Sequence, residues 1–149
     1  MIIIKRVNSD DKDFQELVKQ LNEGLLIRDG VEQNFYLQFN KIDMIKHSVI
    51  AYENNEPVGC GAIKEYSIES MEVKRMFVQI PKRGKGISKM ILADLENWAK
   101  ELEYKKCVLE TGKKNSEAIS LYLKSGYKII SNYGQYVNVA NSICFEKDF

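Results

Sequence analysis

The chain has 149 residues, 44% of them apolar and 29% charged, with 22 Lys and Arg against 21 Asp and Glu for a net charge of +1. That size and composition predict one globular domain over residues 1–149, and they exclude both a disordered segment and a small fold stapled by disulfides or metal. The near-neutral balance argues against nucleic acid or an anionic membrane as partner, since either normally calls for a large excess of basic residues.

The first six residues hold the β-branched run Ile2-Ile3-Ile4 and end in charge, which predicts a short buried strand. Their four apolar residues fall far short of a signal-peptide core or a membrane span of about 20 residues, and a cytoplasmic location is expected. Cys60, Cys107 and Cys144 are odd in number and widely spaced, which argues against a secreted disulfide framework and a CxxC metal site and for a reducing compartment.

A helix is predicted next, capped by Ser9 or Asp10, with Asp11 and Asp13 at its positive end and Phe14, Leu17, Val18, Leu21 and Leu25 on one face. A second, less regular helix is expected over 31–45. Strands follow at Ser48–Glu53 and Val58–Tyr66, joined by a turn at Asn54-Asn55-Glu56-Pro57, and then at Met71–Ile80, which Pro81 ends. A helix from about Gly86 to Leu102 puts Met90, Ile91, Leu95, Trp98 and Leu102 on one stripe. Cys107–Thr111 reads as a strand, Asn115 or Ser116 caps a helix carrying Ala118, Ile119, Tyr122 and Leu123, and Gly126 stops it. Tyr127–Ile130 and Ile143–Phe145 close the series. The order β-α-α-β-β-β-α-β-α-β-β predicts a mixed α/β layered domain without repeats or a linker.

The segment Val78-Gln79-Ile80-Pro81-Lys82-Arg83-Gly84-Lys85-Gly86-Ile87-Ser88-Lys89 carries the most chemistry. A strand ends, two glycines bracket a lysine, and an amphipathic helix begins at once. Such a junction aims backbone N–H groups and the positive end of the helix dipole at one point, as phosphate sites do. Gly84 and Gly86 allow close backbone approach, and Lys82, Arg83, Lys85 and Lys89 add charge. Taken alone, the segment is equally a softened turn at a solvated basic helix start. Neither the P-loop nor the dinucleotide fingerprint is present.

Arg83-Gly84-Lys85-Gly86-Ile87-Ser88 resembles the acetyl-CoA loop Gln/Arg-x-x-Gly-x-Gly/Ala of the GNAT superfamily of N-acetyltransferases, departing from it at Ser88. About thirty residues on, Asn115-Ser116-Glu117-Ala118-Ile119-Ser120-Leu121-Tyr122-Leu123-Lys124-Ser125-Gly126-Tyr127 is similar to the family's N-x-x-A-x-x-x-Y-x-x-x-G-F/Y helix and turn. The resemblance runs from about Val49 to the C-terminus. It implies an α/β (α+β) fold whose central, mostly antiparallel mixed sheet is splayed between strands 4 and 5 and flanked by helices.

The resemblance further implies acetyl-CoA as co-substrate, no metal, and direct transfer of acetyl to a primary amine. The pyrophosphate is expected on the N–H groups of Arg83, Gly84, Lys85, Gly86, Ile87 and Ser88. The pantetheine arm is expected beside the fourth strand at Met76 and Val78, and the N–H of Met76 or Phe77 is expected to face the thioester oxygen. Asn115 matches a position that bonds the arm, and it is also a competent helix cap. A protonated amine must lose a proton before attack, so a base is needed. Glu72 stands at the offset of a family glutamate, Glu110 is the second choice, and a water chain is a third; Glu72 is equally readable as an ion-pair partner of Lys74. Tyr122 occupies the position of the acid that protonates the leaving thiolate, although its spacing alone also fits a core aromatic. His47 and Cys107 are read as structural.

The first helices and the loop before the last strand shape the acceptor side in this family, which makes Asp29, Glu32, Tyr36, Tyr133 and Tyr136 candidate lining residues and Arg75 a candidate carboxylate anchor. Similarity to a bacterial small-molecule branch favours an amino acid or small amine over a protein tail. A protein or peptide acetyltransferase, a non-catalytic CoA-binding module and an unrelated nucleotide-binding domain are the alternatives. A homodimer through the strands near 127–149 is left open. Residues 73–89 hold six basic residues and no acidic one, while 10–32 hold seven acidic against three basic, which suits a polyanionic cofactor and a cationic acceptor.

Overall fold

The computed structural model describes residues 1–29 and 45–149, with side chains over 1–24 and 45–149. The predicted second helix lies outside the described residues except for Ile45, which is buried. Among the described residues the strands and α-helices are, in order, β1 (Ile2–Val7), α1 (Lys12–Asp29), β2 (His47–Glu53), β3 (Glu56–Glu65), β4 (Ser70–Val78), α2 (Ile87–Glu101), β5 (Lys106–Gly112), α3 (Ser116–Lys124), β6 (Lys128–Ile130) and β7 (Ser142–Asp148). The strands hydrogen-bond in the order β1-β2-β3-β4-β5-β7-β6. The β4/β5 pairing is parallel and the registers of β1/β2, β2/β3, β5/β7 and β6/β7 are antiparallel. The parallel register of β4 and β5 runs from Ser70↔Lys106 to Glu72↔Val108.

Two compact units divide the chain, Met1–Lys64 with Lys74–Leu95 and Glu65–Val73 with Glu96–Phe149. In the first, Phe14, Leu17 and Val18 recur at helical spacing and pack with Ile45, Ile50, Cys60 and Ala62 into a core. The cap of α1 is Asp11, whose Oδ1 accepts the N–H of Phe14 at 3.0 Å, and not Ser9 or Asp10. A turn closed by the Asp11 N–H on the Asn8 carbonyl uses up those residues, so the helix starts later. The β2–β3 connection is tighter than predicted: Asn54 and Asn55 alone turn the chain, at φ of 51° and 68°, the doubly left-handed geometry that matches strand twist. Pro57 therefore sits inside β3, at a register irregularity where its missing N–H is tolerated.

Val58 accepts the Gln79 N–H at 2.9 Å, and a Cβ on Gly59 would lie 2.9 Å from the Phe77 carbonyl oxygen, so β3 presses closely on β4. Along α2 the buried residues are Ile87, Ile91, Leu92, Leu95, Glu96 and Ala99. Met90 and Leu102, placed on the predicted stripe, are 40% and 38% exposed, because the buried face is rotated toward Leu92 and Ala99.

In the second unit β5 and β7 pair over seven registers, from Lys106↔Asp148 to Gly112↔Ser142. Cys107, Leu109, Tyr122, Tyr127, Cys144 and Phe145 are buried. Asn115 caps α3 by accepting the Ala118 N–H at 3.2 Å, and Gly126 leaves the helix at φ 94°.

Gly59→Ala should lower stability by about 1–3 kcal/mol, since the added methyl meets backbone at β4. Gly24→Ala, where a Cβ meets nothing within 4 Å, should raise it by about 0.5–1 kcal/mol. Urea titrations of both variants read this contrast, and equal midpoints would contradict the close β3–β4 approach.

Candidate active site

In the first unit the chain leaves β4 through a 3₁₀ turn, Ile80–Lys82, with Pro81 pre-set for its first turn, and reaches α2 through 83–86. Gly84 and Gly86 stand at φ 82° and 81°, a conformation that side chains resist, and each opens on space free of other atoms within 4 Å. The helix ladder begins with the Met90 N–H on the Gly86 carbonyl at 3.2 Å, so the N–H groups of Ile87, Ser88 and Lys89 precede it. The predicted donor set is shorter at its other end, because the Arg83 N–H donates to the Ile80 carbonyl.

The cations of this loop are organised by a carboxylate that sequence reading passed over. Lys82 Nζ donates to Glu53 Oε1 at 2.5 Å, and Lys85 Nζ lies 3.9 Å from Glu53 Oε2. The hydrogen bond between them holds the Glu53 carboxyl below its ordinary range and raises the Lys82 ammonium. Arg83 Nε donates to the Val78 carbonyl at 2.8 Å, and its guanidinium stands 5.8 Å from the Phe77 ring centre. That carbonyl was expected to serve a ligand arm, and here a side chain occupies it. Met76 and Phe77 are half-buried, Val78 is buried, and Arg75 is 4% exposed at φ 58°, a left-handed residue inside a strand. The Cys60 thiol donates to the Arg75 carbonyl at 3.3 Å.

In the second unit, β4 and β5 each carry one of the candidate bases. Glu72 is 7% exposed, and Tyr133 Oη donates to its Oε2 at 2.6 Å. Glu110 Oε2 accepts from Ser142 Oγ at 2.7 Å. The Tyr133 ring meets Tyr66 and Tyr136 edge-on, with centres 4.8 and 5.7 Å away. Asn132 anchors the loop that presents them: its Nδ2 donates to the carbonyls of Tyr136, Val139 and Ser142 at 3.1, 3.2 and 3.1 Å. Sequence reading flagged Tyr133 and Tyr136 but not Asn132 or Tyr66. The Asn-Tyr-Gly run at 132–134 was the available signal, since it pairs a turn former with an aromatic.

Tyr122 is buried on α3 against Tyr127 and Phe145. Burial, and then the Glu110 charge, push its phenol well above the ordinary range, so it stays protonated. Burial pushes the Cys60 and Cys107 thiols up to about 12 and Cys144 up to about 11, far from thiolate chemistry at neutral pH. His47 opens β2 half-buried, and burial followed by the Lys46 charge lowers its proton affinity. The side chains of Asp29, Glu32 and Tyr36 lie outside the described residues. Among the described residues no group of three or more metal-ligating side chains could hold a metal, and no helix is long and apolar enough to cross a membrane.

Residues 13–127 match the model of the acetyltransferase (GNAT) family. The chain belongs to that family. The uncharacterized N-acetyltransferase YsnE of Bacillus subtilis (strain 168) is 31% identical over 99 residues, 65% of this chain and 66% of its own. The IAA acetyltransferase of Azospirillum brasilense is 35% identical over 103 residues, 66% of this chain and 65% of its own. The matches thus span just under two thirds of these relatives' length. The crystal structure of the PaiA N-acetyltransferase from Thermoplasma acidophilum, in complex with coenzyme A, has the same fold: its TM-score is 0.75 at 18% identity, over 100% of this chain and 99% of that one.

Asn132→Ala should cost about 1 kcal/mol or more, as three loop carbonyls lose their donor. Hydrogen exchange should quicken at the N–H groups of Tyr136, Val139 and Ser142, which close turns within that loop. Unaltered exchange there would remove Asn132 as its anchor.

Proposed function

We propose that the chain, both units acting as one N-acetyltransferase domain, moves the acetyl group of acetyl-CoA directly to a primary amine of a small molecule. The observation that carries this reading is the pair of left-handed glycines ahead of α2, inside the stretch matched by the GNAT family. The N–H groups of Gly84 through Ser88, with Lys82, Lys85 and Lys89 beside them, suit a pyrophosphate without further machinery. When bound, acetyl-CoA supplies an activated thioester.

Met76, Phe77 and Val78 offer backbone to the pantetheine arm, and the N–H of Met76 or Phe77 stabilises the charge that develops on the carbonyl oxygen. Asn115 bonds the arm while capping α3. Glu72 takes the proton of the attacking ammonium, and Tyr122 returns one to the departing sulfur. A raised phenol suits that last role, because the group is still a donor when the reaction needs it. The burial of Glu72 favours a small amine over a folded protein's tail, and one relative bears the name IAA acetyltransferase.

The test is incubation with acetyl-CoA and a panel of amines, amino acids and peptides, following thiol release and thermal shift together. CoA-induced stabilisation with thiol release on small amines is expected. No stabilisation would overturn the reading, stabilisation without turnover would favour a regulatory CoA-binding module, and release on peptides alone would move the acceptor to protein. Tyr122→Phe should lower kcat by about 10²-fold or more with the acetyl-CoA Kd nearly unchanged. Because its raised phenol stays neutral beyond pH 10, the wild-type kcat should show no alkaline loss below that pH. A loss there that Tyr122→Phe abolishes would contradict the assignment.

A further inference from the structure

We propose that Tyr133 is a positioning residue for Glu72: its hydroxyl fixes the carboxylate's orientation for proton abstraction. This rests on Glu72 being the base of the proposed reaction. The backbone of Glu72 is held by the β4/β5 ladder, opposite Val108. That pairing fixes the main chain, whereas the side-chain torsions that aim the carboxylate are set by what its oxygens touch. The 2.6 Å bond from Tyr133 Oη to Oε2 is one such contact, and a hydroxyl–carboxylate bond of that length holds the oxygen firmly.

Tyr133 can do this because it is itself immobilised. Its ring is clasped edge-on by Tyr66 and Tyr136, and Asn132, the residue before it, closes the loop on three carbonyls. Gly134, at φ 52°, lets the chain pass the Tyr66 ring, which a Cβ would meet at 3.4 Å. The other titratable groups in this surround include Tyr66, Tyr136, Cys144 and Glu110, and both carboxylates act on Tyr136 and Cys144. Burial and the Glu72 charge keep the Tyr133 phenol protonated, so it remains a donor across the working range.

Tyr133→Phe keeps the ring and deletes the bond. We expect kcat to fall about tenfold or more with KM for acetyl-CoA unchanged. Tyr66→Phe, which keeps its ring as well, should leave kcat unchanged. A second readout needs no turnover: the carboxyl carbon resonance of Glu72 should shift and broaden in Tyr133→Phe, as an oxygen that has lost its donor samples more than one orientation. A resonance that neither shifts nor broadens overturns the proposal. A shifted and broadened resonance in a protein whose Glu72→Gln variant turns over normally supports the bond's effect on Glu72 but overturns its catalytic use, and it is the Glu72 reading that then fails. Matching melting temperatures for Tyr133→Phe and wild type separate either result from unfolding.

Discussion

The backbone of β4 is the constraint on which the chemistry depends. An unbroken strand would alternate buried and exposed side chains over its whole length. Here Ser70 to Val73 are all buried, Arg75 turns left-handed at φ 58°, and Met76 and Phe77 both emerge half-buried. A non-glycine residue in that region costs about 1–3 kcal/mol and persists only where its surroundings over-determine it. The surroundings are on hand: the Cys60 thiol grips the Arg75 carbonyl from β3, and the Val58–Gln79 bond pins the strand beyond. The interruption re-aims the backbone just before Met76 and Phe77, the residues whose N–H groups the proposed reaction uses.

Charge is arranged locally more than it is spread by region. Reading 73–89 as a basic mouth holds for composition, but Lys82 and Lys85 both reach back to Glu53. Both pairs share one half-buried carboxylate, so a phosphate seated on the loop would compete with Glu53 for the two ammonium groups. The acidic excess near the N-terminus is likewise partly spoken for: Asp11 caps α1, and Asp13 accepts the Tyr52 hydroxyl at 2.7 Å. A regional charge count therefore overstates what is available to a ligand.

What could be read from the sequence follows from the range of each interaction. The glycine pair, the Asn115 cap, the Asn54-Asn55 turn and the order of strands are set by neighbours in the chain, and they were legible because local sterics leave few options. The helix face of α2 was legible in kind but rotated by a residue, since Met90 and Leu92 compete for burial and only packing decides between them. Glu53 on the loop lysines, Ser142 on Glu110 and Tyr133 on Glu72 join residues 29, 32 and 61 positions apart. No period or motif encodes such pairs. Asn132 is intermediate: its turn chemistry was readable, but its three carbonyl partners depend on how the loop closes.

The two candidate carboxylates share a mode of support that bears on mechanism. Each accepts from a hydroxyl, Tyr133 on Glu72 and Ser142 on Glu110. A hydroxyl orients a carboxylate without bringing a counter-charge of its own, so the negative field extends to its neighbours. The effect is visible in the phenols: the Glu110 charge adds to burial in keeping Tyr122 protonated, and Glu72 does the same for Tyr133. Replacing either hydroxyl donor with a lysine would hold the carboxylate equally well but cancel that field, and the phenol beside it would lose part of what keeps it protonated. With Ser142 replaced, that loss falls on Tyr122, which the proposed reaction asks to keep its proton until the thiolate departs.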